Sequence, residues 1–112
     1  MTECIFCKIA NKEVNADVVY EDEKVIAFRD INPQAPVHVL IIPKKHIERA
    51  DEVSEEDLDI FKDIFAAVKK VKEKLGVDDV RLVFNCGPKA GQTVYHIHLH
   101  VLAGRVFGWP PG

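Results

Sequence analysis

Apolar and polar residues alternate along this chain with two different periods. Leu58, Phe61, Ile64, Phe65, Val68, Val71 and Leu75 recur at intervals of three and four, which gathers them into one stripe of an α-helix over residues 54–75. Ser54 suits the N-cap, and Asp57 stands where a capping box carries an acid, although Glu or Gln is the usual partner. Acids crowd the first turns and Lys69, Lys70, Lys72 and Lys74 the last, in the sense that the helix dipole favours. Gly76 predicts the stop. These charges form a solvated face rather than a binding patch.

The other apolar runs are shorter and lie between turn residues. Residues 18–20 and 25–28 flank Glu21, Asp22, Glu23 and Lys24 and predict a hairpin. Residues 37–42 are apolar on both faces, as in a central strand, and stop at Pro43. Residues 80–85 predict another strand, and the loop at 86–91 leads straight into a strand over 92–102, so these two should be antiparallel neighbours. Cys4 is followed by apolar residues at helical spacing, which predicts a short helix or turn. Residues 30–36 form a proline-bounded loop, and 107–112 have no regular structure. Short strands joined by turns, with one long helix, indicate an α+β antiparallel sheet.

The strand at 92–102 holds three of the five histidines. His96, His98 and His100 alternate with Tyr95, Ile97, Leu99 and Val101, so the imidazoles should share one face, roughly 6.5–7 Å apart along the backbone. Core packing does not call for three imidazoles in register. A neutral imidazole is a nucleophile and a protonated one stabilises an anion. A middle histidine attacking phosphorus would leave its neighbours to hydrogen-bond the phosphate, provided an acceptor holds its second ring nitrogen. The turn at Gly91, Gln92 and Thr93 offers backbone N–H groups and a hydroxyl for phosphate and leaving group.

Composition narrows the class. With 112 residues, 47% apolar and 29% charged, residues 1–112 read as one domain able to bury about two-thirds of its unfolded surface. A net charge of −3 argues against broad nucleic-acid binding, which leaves a basic footprint. No apolar run reaches membrane-spanning length and no signal pattern opens the chain, so a cytoplasmic protein without membrane partners is the expectation. Three cysteines, two of them in Cys4-x-x-Cys7, suit a metal or redox role better than a disulfide scaffold. No thioredoxin-like pattern surrounds them. Cys86 reads as a buried thiol and His38 as a hydrogen-bonded structural histidine.

Residues 96–102, His-φ-His-φ-His-φ-φ with φ apolar, resemble the signature of the histidine-triad (HIT) family, and the likeness extends over nearly the whole chain. It implies a five-stranded antiparallel sheet with a long helix, usually paired as a two-fold homodimer. It implies that His98 is the nucleophile forming a nucleotidyl-imidazole intermediate, that His100 contacts phosphate, and that Thr93 assists. By the same match Asp30 binds ribose hydroxyls, Ile5, Phe6, Ile9, Phe28 and Ile31 surround a purine, and Asn85 and Gly91 lie near phosphate or ribose. Without the resemblance, Phe28 and Ile31 would read as core and Asp30 as a turn residue. Many microbial relatives also resemble it in a structural zinc site, here Cys4, Cys7, His46 and His96, a closed four-ligand set. Asn85 and the tail at 109–112 resemble the Hint branch, the purine nucleoside phosphoramidases, as does the loop at 33–36. The loop at 87–93 is closer to the Fhit branch, the dinucleoside polyphosphate hydrolases. The Hint branch is favoured, which implies hydrolysis of AMP or GMP conjugates of amines. A non-catalytic nucleotide-binding regulator is the remaining alternative.

Overall fold

The structure is a computed structural model and describes residues 4–112; residues 1–3 of the expected domain lie outside the described residues. In chain order the elements are α1 (Ile5–Ala10), β1 (Val18–Glu21), β2 (Val25–Arg29), β3 (Val37–Pro43), α2 (Asp59–Leu75), β4 (Arg81–Val83) and β5 (Leu99–Ala103). The five strands form one antiparallel sheet in the order β1-β2-β3-β5-β4. The predicted hairpin, the central strand and the pairing of the last two strands are all present.

β3 explains the layering, because its residues alternate between two cores. Val39 and Ile41 join Ile64, Ala67, Val68 and Val71 of α2, with Ile97, Leu99 and Val101. Leu40 and Ile42 join Phe6 and Ile9 of α1, with Ile26 and Phe28. One long helix therefore covers one face and one short helix covers part of the other. Across the strands, Leu40 is paired with Phe28 on one side and with His100 on the other. Paired residues share a face, so this row sets an aromatic wall beside a histidine with one leucine between them.

Three expectations need correction. The long helix begins at Asp59 and is preceded by a 3-10 turn at Glu55–Asp57. Ser54 does not cap it; its hydroxyl reaches Asp57 at 3.5 Å, while that carboxylate takes Lys45 at 2.6 Å. An aspartate is too short to close the box and is drawn to the lysine instead. Gly76 does end the helix, at φ +66°. Leu58 and Phe65 of the apolar stripe are about half exposed. The histidine strand is shorter than expected and starts only at Leu99. The Pro43 carbonyl is taken by the His96 ring, and the Ile97 N–H goes to the Ile47 carbonyl at 2.8 Å, so the β3–β5 ladder ends at Ile41–Leu99. Residues 80–85 likewise contribute only Arg81–Val83.

Candidate active site

His98 and His100 open onto a cavity of about 540 Å³. Ile5, Phe6 and Ile9 come from α1, Phe28, Asp30 and Ile31 from the end of β2 and the loop after it, and Thr93 from the turn before the histidines. These expected residues are thus brought together around one cavity. Asn85 and Gly91 are not among its lining residues; they face one another, so that a Cβ on Gly91 would lie 3.8 Å from the Asn85 amide. Phe6 sets its ring edge-on to both Phe28 and His98, with centroids 5.6 and 5.0 Å away.

Hydrogen bonds assign the proton on each imidazole. His98 Nδ1 lies 2.8 Å from the His96 carbonyl, and a carbonyl only accepts, so Nδ1 carries the proton and Nε2 keeps its lone pair. That matches the acceptor required for a histidine nucleophile. The Gln34 N–H donates to His38 Nδ1 at 3.0 Å, which leaves the His38 proton on Nε2. His38 Nε2 then donates to His100 Nδ1 at 2.9 Å. By elimination the proton of neutral His100 sits on Nε2, making it a hydrogen-bond donor. One site histidine thus offers a lone pair and the other a proton.

Protonation follows from burial. Desolvation lowers the pKa of His98, and the His96 carbonyl and Asp30 oppose it. His100 is held down to about 4 by desolvation, with His98 and His38 adding repulsion and Asp30 opposing. His38 is lowered by desolvation against the pull of Asp30, whose carboxylate is 3.4 Å away. All three are neutral at pH 7, as the hydrogen-bond chain requires.

The turn at 91–93 supplies less than expected. The Gly91 N–H bonds to the Pro88 carbonyl and the Gln92 N–H to the Gly87 carbonyl, so neither amide is available for phosphate. Gln92 is buried, and its side chain accepts from the Gly87 N–H at 2.9 Å and donates to the Glu48 and Val94 carbonyls. It ties the loop before the histidines to the segment after β3. Sequence reasoning missed that role, because a glutamine between Gly91 and Thr93 looks like any turn residue. It also missed His38 as a cavity residue, together with Asn15, Asn32 and Gln34. His38 is hydrogen-bonded as expected, but to a site histidine. Cys86 is half-buried rather than buried and stands beside the Arg49–Asp51 ion pair.

Cys4, Cys7, His46 and His96 gather behind the cavity. His96 Nδ1 lies 3.4 Å from Cys4 Sγ, 3.5 Å from Cys7 Sγ and 3.2 Å from His46 Nδ1, and Cys7 Sγ lies 3.3 Å from His46 Nδ1. Zn–S and Zn–N bonds of ordinary length in a tetrahedron separate such donors by roughly 3.3–3.6 Å. The His96 ring donates from Nε2 to the Pro43 carbonyl at 2.8 Å, which turns the lone pair on Nδ1 toward the sulfurs, as an outer-shell partner of a metal ligand does. The Cys7 N–H points at Cys4 Sγ, 3.4 Å away. The donors fit zinc. Asp30, His38 and His100 also lie close together, but His38 Nδ1 already accepts a backbone N–H, so Nε2 holds its proton and has no lone pair for an ion.

Comparisons with known proteins find relatives over nearly the whole chain. A profile described as HIT domain matches residues 11–107. An uncharacterized HIT-like protein of Synechocystis is 49% identical, covering 98% of this chain and 97% of its own. A 14 kDa zinc-binding protein of Zea mays is 50% identical over 96% of this chain and 87% of its own. Among solved structures, a HIT family hydrolase from Legionella pneumophila superposes with a TM-score of 0.93 at 51% identity, covering 98% and 100% of the two chains. One from Clostridium thermocellum gives the same score and identity, covering 96% of each.

Proposed function

This chain belongs to the HIT domain family, and on that premise we propose that it hydrolyses purine nucleoside phosphoramidates through a nucleotidyl-His98 intermediate. The observation that carries the reading is the His98 ring, whose Nδ1–H is spent on the His96 carbonyl while its free nitrogen belongs to a cavity with apolar walls and a carboxylate. The purine lies among Ile5, Phe6, Ile9, Phe28 and Ile31, and the ribose hydroxyls donate to Asp30. His98 Nε2 attacks phosphorus, and the P–N bond breaks as the leaving nitrogen takes one proton from solvent and departs as the amine, a proton that the later attack of water returns. His100 Nε2–H and the Thr93 hydroxyl hydrogen-bond the phosphoryl oxygens. Water then attacks phosphorus, gives up one proton, and releases nucleoside monophosphate and His98. Asn85 and Gly91 face one another in the adjoining loop and shape it without touching phosphate.

Charge favours this substrate over dinucleoside polyphosphates. The charged side chains lining the cavity are Arg29 and Asp30, Arg29 faces Asp17 at 3.4 Å, and the histidines are neutral. A phosphoramidate brings one negative charge to such a site, whereas a polyphosphate brings several, and among the described residues the one lining cation, Arg29, is already paired with Asp17.

Zinc held by Cys4, Cys7, His46 and His96 is structural in this reading, since four protein ligands leave no open position for water. A homodimer is supported by β4 as an edge strand with Leu82 exposed, and by Phe65 standing out from α2. The exposed Trp109 gives the tail an apolar anchor for the partner's site. No helix among the described residues is long and apolar enough to cross a membrane, and a cytoplasmic setting without specific nucleic acid is proposed.

A substrate panel of AMP-amine phosphoramidates against diadenosine polyphosphates, with acid-quench trapping of nucleotidylated His98, tests the proposal. Faster turnover of the polyphosphates overturns the substrate. Failure to trap any nucleotidyl-enzyme in a single turnover favours the regulator.

A further inference from the structure

The loop at 30–36 carries two polar groups of the site and is tied down by few bonds. The Asp30 N–H donates to the His38 carbonyl at 3.0 Å, the Asp30 carboxylate accepts from the Asn32 N–H at 2.8 Å, and the Gln34 side chain donates to the Asn32 carbonyl at 3.0 Å. Each of these stays within residues 30–38. Among the described hydrogen bonds, one joins residues 31–36 to a distant part of the chain: Arg105 Nη2 donates to the Gln34 carbonyl at 3.2 Å. The Arg105 guanidinium lies over the Phe107 ring, 4.2 Å from its centroid. Arg81 stands 5.1 Å from the same ring and donates to the Gly108 carbonyl at 2.9 Å. Next to Arg105, Gly104 lets Pro36 approach so closely that a Cβ there would lie 2.8 Å from the proline Cβ. On the other side of the Gln34 Cα, the N–H of the same residue holds His38 Nδ1.

We propose that Arg105, seated on Phe107, is a positioning residue for phosphoryl transfer, clamping Gln34 so that its N–H orients His38 and, through it, His100. The cation–π contact pre-organises the guanidinium, so little freedom is lost when it takes the carbonyl. Without the clamp, Gln34 is anchored only inside its own loop, and the His38 ring loses the donor that fixes its rotation. His38 Nε2–H then no longer points steadily at His100 Nδ1. His100 in turn presents its N–H to phosphate for a smaller fraction of the time. Asp30 is held by its own bond to the His38 carbonyl, so ribose binding does not depend on the clamp. Arg105 therefore serves turnover rather than affinity. The tail beyond β5 becomes part of the active site of its own chain.

This inference rests on the reading of His98 and His100 as the phosphoryl-transfer pair. The test uses Arg105→Met, which keeps the stem and removes the donor, together with Arg105→Lys, Phe107→Ala and Phe107→Tyr in the full-length zinc-loaded protein. Ring 15N and N–H resonances of His38 and His100 are recorded without substrate, and Kd for AMP and kcat for an adenosine phosphoramidate are measured separately. Arg105→Met and Phe107→Ala should broaden the His38 Nε2–H signal by exchange and shift His38 Nδ1 toward an unbonded nitrogen. They should lower kcat about fivefold, the scale of one hydrogen bond, with Kd for AMP within about twofold of wild type. Arg105→Lys should restore part of the turnover and Phe107→Tyr most of it. Unchanged ring signals in Arg105→Met overturn the proposal, as does a parallel loss of kcat, AMP affinity and melting temperature, which marks a merely structural residue. If wild type turns over no phosphoramidate, the functional reading fails, while the ring signals still decide whether Arg105 orients His38.

Discussion

Removing zinc from Cys4, Cys7, His46 and His96 should undock α1 and leave the sheet standing. Ordering residues 4–10 costs backbone entropy of roughly 1–2 kcal/mol each, or about 7–14 kcal/mol. Against this, α1 buries Phe6 and Ile9 on the sheet, worth about 3–6 kcal/mol together. The bonds from Lys8 to Cys4 and Asn11 to Cys7 add about 1 kcal/mol apiece. The gain falls at or just short of the cost, so α1 without the ion is marginal. Structural zinc in small peptides contributes on the order of 10 kcal/mol, enough to hold the segment shut. The sheet and α2 have their own core and should survive chelation. Hydrogen exchange checks this: the Lys8 and Asn11 amides should lose at least about a hundredfold of protection on chelation, while Ile41 in β3 stays protected. AMP should bind about tenfold more weakly, because Phe6 no longer walls the purine site, and Cys7→Ser should resemble the chelated state. Equal protection of α1 with and without metal would refute the reasoning. So would purified protein carrying well under one zinc per chain under reducing conditions, with melting unchanged by added zinc.

His98→Ala should cost at least about a thousandfold in kcat, as loss of a nucleophile from a concerted site does, with AMP binding still measurable by calorimetry; substantial residual turnover would remove His98 from its role. Because burial holds His98 and His100 below the ordinary histidine range, kcat/KM of the free enzyme should stay level as pH falls from 7 through the ordinary histidine value of about 6.5 and drop only below it; an acid limb centred at or above about 6.5 contradicts the burial argument. The same depressed values make the unfolded chain bind protons first, so stability should decline as pH falls from about 6.5 toward 4, which denaturant titrations at several pH values will measure. Gly104→Ala forces a side chain onto Pro36 at φ +97° and should cost about 1–3 kcal/mol; unaltered melting would mean that the loop yields. Deleting residues 107–112 should change substrate preference more than stability, and a monomer in sedimentation at micromolar concentration would count against the proposed dimer.

The elements that depend on local pattern were legible in the chain. The stripe from Phe61 to Val71 and the two-faced run at 37–42 each predicted what forms. What escaped was settled by long-range pairing. The histidine strand is cut short because the Pro43 carbonyl and the Ile97 N–H find other partners, a competition that no local propensity reports. Ser54 and Asp57 looked like a cap, yet Lys45, twelve residues before Asp57, takes the carboxylate. His38 looked structural because its sequence neighbours are apolar; its partner His100 lies 62 residues away. The cavity residues that came through by family resemblance, such as Asp30 and Phe28, carry no signal of their own that separates a pocket wall from a core.

The alternation along β3 divides the molecule's responsibilities. Val39 and Ile41 answer only to α2, where volume and shape matter and any chemistry is a full sheet thickness away. Leu40 and Ile42 answer to α1 and to the row that runs from Phe28 to His100. Substitutions that enlarge or trim the α2 side should therefore move melting temperature and leave turnover alone, whereas equal changes at Leu40, which is buried and also lines the cavity, should lower both. A single seven-residue strand thus serves two cores, and only one of them borders the cavity.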